Sequence, residues 1–156
     1  CKTKPNMKYT TEIVVDVPRE EFIKKMDDPD NMKHWQQGLI GYEQLSASPG
    51  QEGSRMSLSY EMGKRKMDLV ETIIKKNLPE EIHMTYETKG VHNIQKNYFK
   101  EEDEKTRWVS ESEFQFSGFG MKLMGFLMPG AFKKQSLKYM QDFKAFAENG
   151  TSVLNS

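Results

Sequence analysis

Residues 13–35 read IVVDVPREEFIKKMDDPDNMKHW, and the fold turns on the change of pattern inside them. Upstream, KYTTEIVVDV (8–17) alternates and is rich in β-branched residues, which predicts a strand. Pro18 closes that strand and opens a helix over PREEFIKKMDD (18–28). Proline suits a first helical position, and the acids that follow lie where the helix dipole favours negative charge. PDNMKHW (29–35) predicts a second short helix. Two helices in succession therefore separate the first strand from everything after it.

Beyond Gly38 the pattern is that of strands: 39–46, 54–62, 67–76, 81–88, 91–100 and 105–117. The segments SPGQEG, GKRK, NLPE, KG and EEDE mark the turns between them. Residues 120–149 then carry a helical pattern ended by Asn149-Gly150. Its apolar positions include Met121, Met124, Met128, Phe132, Tyr139, Met140, Phe143 and Phe146. Such a helix is roughly 45 Å long, and Pro129-Gly130 predicts a kink in it. There are no internal repeats and no low-complexity linker. The fold class is α+β: seven strands joined mostly as hairpins imply a curved antiparallel sheet, two short helices lie between the first and second strands, and a long C-terminal helix covers one face. A sheet that bends around such a helix is able to leave a cavity.

The bulk composition fits this reading. A chain of 156 residues, 36% hydrophobic and 29% charged, suits one domain with one core. Lysine plus arginine equals aspartate plus glutamate at 23 each, which argues against a general nucleic-acid binder. No apolar run approaches the ~18 residues that cross a bilayer as a helix. Cys1 is the single cysteine, so an intrachain disulfide and a thiolate metal site are excluded. Met7 is read as a natural start, which would make residues 1–6 a cloning remnant; the N-terminal extension is taken as residues 1–7. The alternative is that Cys1 is the acylated first residue of a processed lipoprotein. Residues 8–149 form the expected domain and 150–156 a tail. The expected location is the cytoplasm, unless Cys1 is lipidated.

The order of one strand, two short helices, six strands and a long helix resembles the START-like, Bet v 1-like helix-grip superfamily (SRPBCC). It looks most like the polyketide cyclase/dehydrase and lipid-transport group. The stretches that carry the resemblance are residues 13–35, PGQEGSRMSLSY (49–60) and the TRW strand (106–108) leading to the last helix. They cover the chain from 8 to 149 and speak to fold rather than chemistry. The resemblance implies a hydrophobic small molecule carried between sheet and helix. Some relatives are cyclases or hydrolases, and some are chaperone co-activators.

Hairpin arithmetic orients the strands. A two-residue turn at Lys89-Gly90 pairs Tyr86 with Asn93, Met84 with Gln95 and Ile82 with Asn97. Directly paired residues share a face. The opposite face pairs Glu87 with His92 and His83 with Lys96, so it is read as the solvent side. A four-residue loop at 101–104 would pair Asn97 with Trp108, Gln95 with Ser110, Asn93 with Ser112 and Val91 with Phe114. Both readings turn Asn93, Gln95, Asn97, Ser110 and Ser112 inward, bordered by Met84, Tyr86, Trp108 and Phe114. Each buried polar group left unpaired costs about 1–3 kcal/mol. The band therefore bonds to itself, to water or to a ligand.

Met56, Leu58, Tyr60 and Met62 form an apolar face. Pairing across GKRK and NLPE puts Met67, Leu69, Glu71 and Ile73 on the same side, with Glu71 opposite Tyr86. A carboxyl in an apolar pocket is a candidate acid or base, or else it bonds to Tyr60 or Tyr86. His34, His83 and His92 lack metal-ligand spacing, so no metal and no cofactor are expected. Trp35 either caps the cavity mouth or packs in the core. Trp108 either stacks on a ligand or packs against the last helix. Residues 118–132, GFGMKLMGFLMPGAF, are apolar almost all round and call for cover by a mobile gate, a homodimer partner or a membrane surface. Lys133, Lys134, Lys138 and Lys144 are read as the solvated face of the helix.

The favoured function is binding or transport of a small, partly polar hydrophobic molecule. Tyr60, Glu71, Met84, Tyr86, Asn93, Gln95, Asn97, Trp108, Ser110, Ser112, Phe114, Met124, Met128 and Phe132 are the candidate lining. The alternatives are a cyclase- or dehydratase-type enzyme using Glu71, and a protein-interaction domain of the chaperone co-activator kind.

Overall fold

The computed structural model describes residues 6–118 and 129–155. In chain order it contains β1 (Asn6–Val15), α1 (Arg19–Met26), a 3-10 turn at Pro29–Asn31, α2 (Met32–Trp35), β2 (Leu39–Gln44) and β3 (Arg55–Met62). There follow β4 (Arg65–Asn77), β5 (Glu81–Thr88), β6 (Val91–Glu102), β7 (Lys105–Phe116), α3 (Pro129–Asn149) and a 3-10 turn at Val153–Asn155. The strands form one antiparallel sheet in the order β1-β7-β6-β5-β4-β3-β2. Every neighbour in that order is a hairpin partner except β1 and β7, which the chain brings together from its two ends.

The helices cover the face of the sheet that carries the apolar alternation. Phe22 of α1 and Phe143 of α3 are fully buried, with ring centroids 4.8 Å apart. Trp108 of β7 lies edge-on to both, at 5.9 Å from Phe22 and 5.6 Å from Phe143. Trp35 of α2 closes the cluster against Trp108 and Phe143. Each such side chain contributes about 1.5–3 kcal/mol by leaving water. Met140, Phe143 and Ala147 fall on one stripe of α3 at helical spacing, and all three are buried. Polar ties fix the helix along β1. The Lys144 Nζ donates to the Val14 carbonyl at 2.8 Å, and the Tyr9 hydroxyl lies 2.7 Å from Ser136 Oγ and donates to the Phe132 carbonyl. Lys144 is thus half-buried, which corrects its placement on a solvated face.

Several boundaries differ from the sequence reading. β1 starts at Asn6, ahead of the predicted Lys8, because Asn6 and Met7 continue the ladder opposite Gln115 and Phe114. β4 and β6 are longer than predicted because two turns are tighter. Met62 pairs with Arg65, so the GKRK turn is the two residues Gly63-Lys64. Glu102 pairs with Lys105, so the EEDE turn is Asp103-Glu104, both at positive φ of 50° and 65°. That is the pattern of a type I′ turn, which follows the natural twist of a hairpin. The β6–β7 partners consequently shift: Asn97 lies opposite Ser110, Gln95 opposite Ser112, Asn93 opposite Phe114 and Val91 opposite Phe116. Across β3–β4, Glu71 lies opposite Met56 and Leu69 opposite Leu58. Each slip is by an even number of residues, so every face is preserved. A bulge between Ile73 and Lys75 interrupts the β4–β5 ladder. The predicted helix over 120–128, its kink, and Met121, Met124 and Met128 lie outside the described residues.

Candidate functional site on the concave face

The β5–β6 register is the one the two-residue turn requires. Ile82 faces Asn97, Met84 faces Gln95 and Tyr86 faces Asn93, with Gly90 at φ +77° completing the turn. The amides point inward. Asn93 and Asn97 are 4% and 2% exposed, and Ser110 and Ser112 are buried beside them. Much of the band bonds to itself. Asn93 Nδ2 donates to Ser112 Oγ at 2.9 Å and to the Glu113 carbonyl at 3.0 Å, while Gln95 Nε2 donates to Asn93 Oδ1 at 3.0 Å. Trp108 Nε1 donates to Asn97 Oδ1 at 3.0 Å. These bonds offset the desolvation of the amides. The band continues to Thr11 of β1, opposite Ser110, whose Oγ1 is buried without a hydrogen-bond partner.

A second polar group lies beside the band, on β3, β4 and β5. Glu71 stands directly opposite Tyr86 across β4–β5 and opposite Met56 across β3–β4. Burial drives the Glu71 pKa up, and a hydrogen bond from Tyr86 works in the opposite direction. Burial raises Tyr86 well above the usual phenol range, and the nearby Glu71 charge adds to it. The Tyr86 hydroxyl also lies 3.6 Å from Met84 Sδ. Tyr60 is raised too, by burial first and then by the proximity of Tyr139 and Glu71. Its hydroxyl donates to Gln36 Oε1, where α2 ends. Leu69, Glu71, Met84, Tyr86 and Gln95 are half-buried, although they belong to three central strands and face the helices. These five are less covered than the buried residues beside them on the same face.

The remaining candidates divide between two aromatic groups. Trp108 and Trp35 are both buried and pack edge-on to each other within the core. Phe114 lies tilted against Phe132 with ring centroids 4.9 Å apart and stacks on Phe116, which Phe132 meets edge-on. Met124 and Met128 lie outside the described residues. His83 corrects the reading of the other face as simply solvated. It is 8% exposed, edge-on to the Tyr98 ring at 5.3 Å, with Nε2 3.2 Å from Glu81 Oε2. Sequence reasoning missed Gln36 and Tyr139 as neighbours of Tyr60. Tyr139 had a signal in its helical spacing. Gln36 had none, since only tertiary folding brings α2 to β3. Among the described residues no group of three or more His, Cys, Asp and Glu side chains is placed to hold a metal ion, and no helix is long and apolar enough to cross a membrane.

No protein-family model matches the sequence, and no curated protein matches it. Solved structures do match. A protein of unknown function from Staphylococcus aureus superposes with a TM-score of 0.75 at 11% identity, covering 94% of this chain and 96% of that one. Major latex-like protein 151 from Panax ginseng gives 0.71 at 10% identity, with coverage of 91% and 97%. A truncated norcoclaurine synthase from Thalictrum flavum gives 0.69 at 10% identity, with coverage of 96% and 98%. Identity this low speaks for architecture alone, and on architecture the chain has the Bet v 1-like helix-grip fold.

Proposed function

We propose that this protein binds a small, partly polar hydrophobic molecule between the concave face of the sheet and α3. The observation that carries the reading is the half-buried group Leu69, Glu71, Met84, Tyr86 and Gln95 on central strands beneath the helices. A fully packed interior would bury all five. The group offers an apolar wall in Leu69 and Met84 and polar handles in Glu71, Tyr86 and Gln95. That mixture suits a ligand site, in which a few polar groups orient an apolar body. The amide band is mostly committed to internal bonds, so it serves as a floor, and the Glu71–Tyr86 pair is the polar feature that meets the ligand. The flexible methionine thioethers tolerate a range of ligand shapes.

A neutral apolar fluorophore, N-phenyl-1-naphthylamine, tests the reading. Its emission is expected to rise saturably with one site per chain. Leu69→Trp, which fills the proposed space, is expected to abolish that rise while the thermal transition stays cooperative. A non-saturable response, or one indifferent to Leu69→Trp, contradicts the proposal.

A further inference from the structure

Among the described residues, the ionisable groups set around Glu71 are phenols. Glu71 faces Tyr86 from β5, and Tyr60 from β3 and Tyr139 from α3 complete the set. The other inward neighbours are neutral: Met56, Leu69, Ile73 and Met84 on the strands, and Gln36 at the end of α2. Among the described residues no cation faces Glu71. Lys76 shares its strand and lies beyond the bulge, but it is turned to the Gly50 carbonyl and to Asp27. On α3, Lys138 is paired with Asp142, and Lys144 with Glu148 and the Val14 carbonyl. His34 of α2 stacks on Phe146 with its Nδ1 at Ser152 Oγ. Buried carboxylates are ordinarily paired, and here the described chain supplies a carboxyl and a tyrosine but no counter-charge.

We propose that the ligand bears a basic nitrogen and binds as an ammonium ion against the Glu71 carboxylate, between the rings of Tyr60, Tyr86 and Tyr139. This rests on the binding reading given above and adds the chemical class to it. The ammonium supplies the missing positive charge, and tyrosine ring faces favour a cation over a neutral group. In the free protein burial favours the protonated, uncharged carboxyl. An amine in neutral water is already protonated. Forming the ammonium–carboxylate pair releases to solvent whatever proton Glu71 held beforehand, and no other bond changes. Binding of the amine is expected to weaken as pH falls and Glu71 becomes harder to ionise.

The test uses three matched probes of one shape: 4-phenylbutylamine, 4-phenylbutanol and 4-phenylbutanoate. Calorimetry at pH 7 is expected to show the amine binding at least about tenfold more tightly than the alcohol, with the carboxylate weakest. In buffers of different ionisation enthalpy, the amine is expected to show proton release that grows as pH is lowered, and the alcohol none. Glu71→Gln is expected to remove the advantage of amine over alcohol. The proton-release measurement needs no variant, so it stands even if Glu71→Gln folds poorly. Alcohol binding as tight as amine, or amine binding with no proton release at any pH, overturns the amine class and leaves the binding site in place. No binding by any of the three overturns both.

Discussion

Glu71 and Tyr86 stand directly opposite each other in the β4–β5 ladder, both facing the helices. Two strands thus aim an acid and a phenol at the same interior point, where the phenol only partly offsets the desolvation of the carboxyl. A carboxyl whose pKa rises on folding holds a proton in the native state that the unfolded chain has already lost. Native stability must then fall as pH rises from the ordinary glutamate value toward the raised one. Glu71→Gln has no such proton. In ligand-free protein the variant is expected to match the wild type at pH 4 and to exceed it at neutral pH. Urea titrations across pH 4–8 measure this, and parallel profiles for the two proteins would refute it.

The Trp108 Nε1 to Asn97 Oδ1 bond joins the aromatic core to the amide band, and both residues are buried. Removing the acceptor leaves the indole N–H without a partner and opens a small void. Asn97→Ala is expected to destabilise the fold by about 2–3 kcal/mol. The change should appear as a lower urea midpoint with little change in slope. A loss under about 0.5 kcal/mol would mean that water replaces the amide and that the band is not a closed network.

Asp103 and Glu104 both occupy the left-handed region that glycine favours. Their side chains are exposed at the β6–β7 turn, so replacement disturbs no packing. Asp103→Asn with Glu104→Gly, the favoured pair for such a turn, is expected to stabilise the protein by about 1 kcal/mol. Thermal denaturation decides it, and an unchanged or lower melting temperature would count against the turn geometry.

The sheet and its faces were legible because side-chain alternation survives an even error. Reading GKRK and EEDE as four-residue loops moved Glu71 from Met56 to Leu58 and Asn97 from Ser110 to Trp108, yet turned no residue over. The inward direction of the amides followed from Lys89-Gly90, a turn short enough to count, and the 101–104 loop agreed with it. What stayed hidden depends on contacts distant in sequence. Nothing local to Gln36 announces Tyr60, 24 positions away. Nothing local to His83 says that the Tyr98 ring covers it on the far face of the sheet. The bulge near Ile74 is equally silent, since the β-branched run ETII reads as uninterrupted strand.

The half-buried zone around Glu71 and Tyr86 is proposed to hold a small molecule. Native mass spectrometry of protein purified gently from its own host tests it most directly, with the same sample sprayed under denaturing conditions for comparison. A discrete added mass of a few hundred daltons is expected in the native spectrum, lost on denaturation and diminished in Leu69→Trp. A native mass equal to the bare chain, together with no saturable uptake of the fluorophore or of the three matched probes, would contradict it.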